Sequence, residues 1–397
     1  MNFSLTEDQT LLVDALKRFL DKNYAPEMRQ RMVLDQEPMS REVWTGFASL
    51  GILGLTLSEE HGGFSGSGID VMVVMRELGK YLVIEPYIPN VVMSAGLVEL
   101  CGSDWHKKVL LPELIKGEST LVLAHTEMQG HQDLSHVETI ARQEGGVWVL
   151  SGKKTLILGG ASADRFIISA RTSGSSGDKD GITLFIAESL DESISGQVYP
   201  LLDGSRVLDI QFDNLRLGSE SVIGTLDRAF APIECVYDRA AMASCAEALG
   251  AMETAYEMTV DYLKDRHQFG QSLSQFQVLQ HRAVDMFINI EEAHSLLTLA
   301  AANAWGDSPY ERARSVSAAK SLFARATRFV SQQAVQLHGG MGMTYELPLS
   351  NYVKKLTMFD TLFGGERFHR SRFSNLRKEE ESATTGFVSP KKSWKQL

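Results

Sequence analysis

The chain has 397 residues, 44% of them hydrophobic and 22% charged, which is the composition of a globular protein of two or three domains. Its 50 acids outnumber 39 bases for a net charge of −11, which argues against nucleic acid or an anionic membrane as the main partner. No run of about 18 apolar residues occurs, so no membrane span is expected. Cys101, Cys235 and Cys245 lack metal-ligand spacing and read as the reduced, buried thiols of a cytoplasmic protein with no metal site.

The opening MNFSLTEDQT has neither the basic nor the apolar region of a secretory signal. Residues 1–118 then read as a helical domain. Thr6 and Gln9 have capping-box spacing, and Leu12, Leu16, Phe19 and Leu20 fall on one helical face. SEEHGGFSGSG (58–68) breaks the pattern, which resumes at IDVMVVMRELGKYL. Residues 119–226 change character. STLVLAHTE, VWVLSGKKTLIL, DRFIISAR, GITLFIAES and LDIQFDNLRL are short β-prone runs separated by Gly, Ser and Asp turns, which predict an antiparallel β domain.

Helical periodicity returns at about Asp227. Met242, Cys245, Leu249, Met252, Tyr256 and Leu263 form an apolar stripe that ends near HQFG. The chain restarts at SLSQFQ, and Ser308 to Glu311 has capping-box spacing with proline at the first helical position. That helix is expected to stop at Gly339 and Gly340. Residues 227–379 form a C-terminal helical bundle, and 380–397 read as a polar, mobile tail. The class is α+β: helical, then β, then helical, with crevices at the joints where ligand pockets tend to form.

Local chemistry leaves several alternatives open. Arg266 follows a helix and precedes a turn at Gly270, where a guanidinium either makes an ordinary helix-end contact or pairs with a phosphate. Gly339-Gly340 is a helix stop, a close backbone approach to a ligand, or both. His281 and His338 each sit in a helical run without a paired acid and read as structural. DTLFGGERFHR (360–370) places paired glycines beside Glu366, which is either a simple turn or part of a site.

Six stretches in order resemble the acyl-CoA dehydrogenase family over about residues 1–375: LGILGLTLSEEHGGFSG, HTEMQGHQD, SGKKTLILGG, FDNLRL, RHQFGQSLSQFQ and QLHGGMGM. The resemblance implies a three-domain acyl-CoA dehydrogenase-like fold, an oligomer and FAD as cofactor. It implies α,β-dehydrogenation of an acyl-CoA thioester, with an electron-transfer flavoprotein as acceptor. It assigns Thr126 to this chain's own cofactor, and Arg266, Phe269, Gln277, Gln336, Gly339 and Gly340 to FAD bound mainly by a neighbouring chain.

The sequence also departs from the family. Phe363-Gly364-Gly365-Glu366 stands where the family has Tyr-Glu-Gly-Thr, so Gly364 replaces the usual base. Some members carry the base instead on a helix, just before an arginine. Asp238 before Arg239 matches that position, with Gly364 keeping the N–H that holds the thioester oxygen. Glu366 reads as structural. Leu156, Leu158, Gln132 and Phe368 replace residues that hold a chain's own flavin, and Ser58 stands where proline is usual. This asymmetry resembles the complementary subunits of bacterial heteromeric members. CAEALGAME (245–253) resembles the pimeloyl-CoA dehydrogenase small-subunit type. It implies a two-chain complex with one FAD for every two chains. The alternatives are a non-catalytic subunit completing another chain's FAD site, and a flavin monooxygenase or oxidase of the same fold.

Overall fold

The structure is a computed structural model that describes residues 5–130, 132–344 and 347–385. The N-terminal helices are α1 (Glu7–Asn23), α2 (Pro26–Leu34), α3 (Arg41–Ser49), α4 (Gly68–Lys80), α5 (Gly96–Cys101) and α6 (Asp104–Ile115). The Thr6–Gln9 capping box forms with both reciprocal bonds, 3.0 and 3.2 Å, and Leu16 and Leu20 are fully buried below it. Between α4 and α5 the chain forms a π-helical stretch, Ile88–Ala95.

The middle sheet contains β1 (Leu121–Ala124), β2 (Ile140–Glu144), β3 (Val147–Leu158), β4 (Arg165–Arg171), β5 (Ile182–Glu188), β6 (Ile194–Pro200), β7 (Arg206–Leu217) and β8 (Val222–Ile223). Their order is β6-β7-β3-β2-β4-β5-β8, with β1 attached to β4. The expectation of an antiparallel sheet needs correction here. The sheet is mixed: β1 runs parallel to β4 from Leu121↔Arg165 to Ala124↔Ile168. All four β1 residues are buried, as parallel strands usually are.

A short hairpin, β9 (His267–Gln268) and β10 (Gln271–Ser272), follows the 36-residue α7 (Phe230–Asp265). Then come α8 (Gln277–Ala304), α9 (Pro309–His338), α10 (Leu349–Met358) and α11 (Glu366–Thr385). The cap at α9 forms only in half. Ser308 accepts the Glu311 N–H at 3.2 Å, while the Glu311 carboxylate pairs with Arg314. Helix α11 carries regular structure to Thr385, into the segment expected to be a mobile tail; residues 386–397 of that expectation lie outside the described residues.

One apolar core joins the N-terminal helices to the C-terminal bundle, and a smaller one fills the sheet. Helices α4 and α7 touch backbone to backbone: a Cβ on Gly250 would lie 1.9 Å from the Arg76 carbonyl oxygen, and one on Gly79 2.0 Å from that of Glu247. Cys101, Cys235 and Cys245 are free thiols, the first only partly buried. Among the described residues no helix is long and apolar enough to cross a membrane.

Candidate active site

The π-helical stretch, the sheet and the C-terminal bundle enclose a cavity of about 660 Å³. Pro89 and Met93 line it from the stretch, Thr126, Glu127 and Gln132 from the segment after β1, and Leu156 and Leu158 from β3. Helix α7 contributes Glu234, Tyr237 and Asp238, and Phe363, Gly364, Phe368, His369 and Arg372 come from the start of α11 and the loop before it. Two bulky wall residues hold left-handed backbone, Leu156 at φ 54° and Phe363 at φ 53°. Such strain persists only where surrounding structure imposes it, and it tends to mark functional sites. At Leu156 it coincides with an irregularity in β3–β7 pairing, and the Leu156 N–H donates to Asp209 at 2.8 Å.

A buried polar network forms the floor. Lys154, with no exposed side-chain surface, reaches Glu127 at 2.7 Å, Ser169 at 3.0 Å and the His125 carbonyl at 3.3 Å. Burial lowers the Lys154 ammonium to about 8 against the pull of Glu127. Burial alone would raise Glu127, but Lys154 and the hydrogen bonds from Thr139 and the Glu138 N–H bring it down to about 2. Glu127, His136 and Glu138 bring ligand atoms within 4.8 Å of one another, yet both oxygens of Glu127 are already engaged, which argues against a metal there. Tyr237 spans the floor and the loop. Its hydroxyl meets Thr126 at 3.3 Å, its ring packs edge-on against His125 and Phe363, and burial pushes the phenol up to about 12.

At position 364 the neighbouring side chains crowd the place a Cβ would take. Gly364 has φ 93°, and a Cβ built there would lie 2.6 Å from His369 Nε2 and 2.7 Å from the Phe368 ring. His369 is 2% exposed. Its Nε2 donates to the Phe363 carbonyl at 2.9 Å, leaving Nδ1 to accept from Ser317 at 3.2 Å. Burial lowers the imidazole to about 3, so it stays neutral and clamps the loop. Glu366 does not line the cavity; its N–H caps onto Asp360 at 2.8 Å and its carboxylate pairs with Arg370 at 3.4 Å.

Asp238 lies on the cavity wall, paired with two arginines. Both its oxygens accept from Arg372, one through a short bond to Nη1 and the other from Nη2 at 3.2 Å, while Arg312 Nε approaches at 3.4 Å. Its side chain is 4% exposed. Two guanidinia thus hold the carboxylate in place on the cavity wall.

The structure therefore brings Thr126, Asp238 and Gly364 to one cavity. It places Arg266, Phe269, Gln277, Gln336, Gly339 and Gly340 elsewhere, exposed at one end of the C-terminal bundle. Tyr262 of α7 stacks on His338 of α9 at 4.4 Å, which ties the Arg266 hairpin to the Gln336–Gly340 segment and gives His338 a structural role. Phe269, at the hairpin tip, is 90% exposed with φ 54°.

Models of one protein family match the chain in three consecutive parts. They are described as "Acyl-CoA dehydrogenase, N-terminal domain" (residues 6–118), "Acyl-CoA dehydrogenase, middle domain" (122–215) and "Acyl-CoA dehydrogenase, C-terminal domain" (236–374). The chain is 30% identical to the short-chain specific acyl-CoA dehydrogenase of Clostridium acetobutylicum, covering 89% of this chain and 93% of that one. The chain belongs to the acyl-CoA dehydrogenase family. It is an FAD-dependent oxidoreductase of the kind that acts on CH–CH groups. Butyryl-CoA dehydrogenase from Megasphaera elsdenii has the same fold, with a TM-score of 0.88 at 26% identity over 95% of this chain and 100% of that one. A steroid acyl-CoA dehydrogenase designated Tcur3481-Tcur3483 gives a TM-score of 0.83 at 25% identity over 95% and 99%. The (2S)-methylsuccinyl-CoA dehydrogenase of Cereibacter sphaeroides is 28% identical over 87% of this chain, which spans 65% of that longer protein.

Sequence reasoning missed Tyr237, His369 and Arg372. Arg372 was the hardest to see: its partner Asp238 lies 134 positions earlier, and no local pattern joins them.

Proposed function

We propose that this chain is the complementary subunit of a heteromeric acyl-CoA dehydrogenase, with residues 1–118, 119–226 and 227–379 as its three domains. In this reading it completes the FAD site of a second, related chain through Arg266, Phe269, Gln277, Gln336, Gly339 and Gly340, while its own cavity binds an acyl-CoA. FAD held by these residues would supply the hydride-accepting chemistry toward the β-carbon of the thioester. An electron-transfer flavoprotein is then the acceptor, by family kinship, and the three free thiols suit a reducing compartment such as the cytoplasm.

The observation that carries the reading is the crowded position at Gly364 together with the paired Asp238. Neighbouring side chains crowd the usual site of the base, and the replacement is held by two arginines. The own-side wall is also poor in partners for a polar cofactor. Thr126 meets Tyr237, and Leu156, Leu158 and Phe368 are apolar. The neighbour-facing residues, by contrast, are exposed, and Gly339 and Gly340 have nothing within 4 Å of a built Cβ, which suits close backbone approach to a ligand. The N-terminal half of α8 displays Val278, Val284, Phe287 and Ile288 to solvent, each at least 46% exposed, an apolar face fit for another chain of this fold. Gly364 keeps its N–H for the oxygen of a thioester bound in this chain's cavity.

Flavin absorbance across a size-exclusion profile of the native complex tests this. Two kinds of chain with one FAD for every two chains are expected, and Arg266→Ala in this chain should lower the flavin content. A homo-oligomer with one FAD per chain would overturn the proposal.

A further inference from the structure

Helix α9 places a buried cation behind the loop that carries Gly364. Lys320 is 1% exposed, and its Nζ donates to the Phe359 carbonyl at 2.9 Å, with the centre of the Phe359 ring 3.4 Å away. Among the described residues it forms no ion pair, although a fully buried lysine is rare without one. One turn earlier on the same face, the buried Ser317 meets His369 Nδ1 at 3.2 Å, and His369 Nε2 donates to the Phe363 carbonyl at 2.9 Å. One helix face thus holds the loop at Phe359 and again at Phe363, immediately before Gly364. The Gly364 N–H donates to no group among the described residues, which leaves it open to a ligand.

The surroundings of Lys320 do not neutralise it. Cys245 of α7 is a thiol that burial pushes up to about 12, and burial keeps His369 of α11 neutral. Asp360, on the loop, pulls on the ammonium but already accepts the Glu366 N–H at 2.8 Å and lies 3.5 Å from Arg328. Burial lowers the Lys320 ammonium to about 8. At neutral pH it is largely charged, and the folded chain carries the cost of burying that charge. Its field reaches the loop: after burial it is one of the causes that lower His369, whose Nε2 would lie 2.6 Å from a Cβ on Gly364. A cation kept at a cost behind an open N–H suits negative charge that forms at that N–H.

We propose that Lys320 is a positioning residue that makes the cavity favour an anionic thioester: it fixes the loop that presents the Gly364 N–H, and its charge stabilises an enolate oxygen held there. The proposal rests on the acyl-CoA reading above. The step is loss of an α-proton to solvent, with the C–H electron pair delocalised onto the thioester oxygen.

The test is a spectroscopic pH titration of the native complex with a 3-oxoacyl-CoA, whose enolate has its own ultraviolet band. Bound at one ligand per chain, it should be half ionised at a lower pH than the free ligand. Lys320→Met should raise that midpoint by about one unit for the ligand held by this chain, a roughly 10-fold loss of enolate over keto form, the size expected of one charge in a largely buried site. Affinity for the 3-oxoacyl-CoA should fall more than affinity for the plain acyl-CoA of the same length. The thermal midpoint should hold or rise, because an apolar side chain of similar volume in place of a buried ion is often neutral or stabilising. If the methionine variant does not fold, Lys320→Gln, which keeps a donor for the Phe359 carbonyl, carries the same comparison. An unchanged ionisation midpoint, or an equal loss of affinity for both ligands with a lowered thermal midpoint, gives Lys320 a structural role alone and overturns the proposal. Fewer than one thioester bound per chain overturns the acyl-CoA reading with it.

Discussion

Replacing Asp238 with asparagine separates a structural anchor from a catalytic base. In the folded chain the Asp238 carboxylate lies between Arg372, which donates to both of its oxygens, and Arg312, whose Nε is 3.4 Å away. The arginine side chains are 17% and 9% exposed. Asparagine keeps the size and removes the charge, leaving two largely buried guanidinia without their common counter-ion. Breaking a buried pair in this way costs about 3–5 kcal/mol. Glu234, 3.2 Å from Arg372, offsets part of that, which puts the expected loss near the lower end, about 3 kcal/mol. At about 2 °C per kcal/mol, the small end of the range and the one appropriate to a long chain, the thermal midpoint should fall by about 6 °C. Scanning calorimetry at matched protein concentration measures this, because an oligomer's midpoint depends on concentration. Arg372→Gln should destabilise similarly, and the double variant should lose less than the sum of the two singles. An unchanged midpoint together with a drop of about 10²–10⁴-fold in turnover would refute the argument and restore Asp238 as the base.

Gly364→Ala should lower the midpoint measurably, because left-handed backbone costs a residue with a Cβ about 1–2 kcal/mol and that Cβ also meets His369; Gly364→Glu should fail to create a working base for the same reason. A midpoint for Gly364→Ala equal to wild type would mean that the loop is not clamped as described. Burial holds His125 and His369 at about 3, below the unfolded value of about 6.5, so the unfolded chain takes up protons first as the pH falls. Their stabilising contribution is complete above about pH 6.5 and is lost progressively towards about pH 3, and a His369→Gln variant should show a shallower acid slope in denaturant unfolding. An identical slope would place the titration elsewhere.

The coarse architecture was legible because it rests on local rules. The stripe from Met242 to Leu263 and the Thr6–Gln9 box need only helical spacing and short-range hydrogen bonds. Strands β2 and β6 escaped notice because their side chains face mostly outward, so they lack an apolar run. The parallel pairing of β1 with β4 is a long-range choice that a four-residue apolar run does not encode. Family motifs located the cavity wall and the exposed hairpin, but not the electrostatic state of the residues within them. Asp238 matches the position of a catalytic acid, and the guanidinium that pairs with it comes from α11, far along the chain. The same limit applies to DTLFGGERFHR. The sequence displays a missing acid at Gly364, whereas the structure adds that His369, five residues on, fills the space beside it while its Nε2 holds the Phe363 carbonyl. Glycine and histidine thus form one device, and inserting an acid alone would oppose the clamp that maintains the loop.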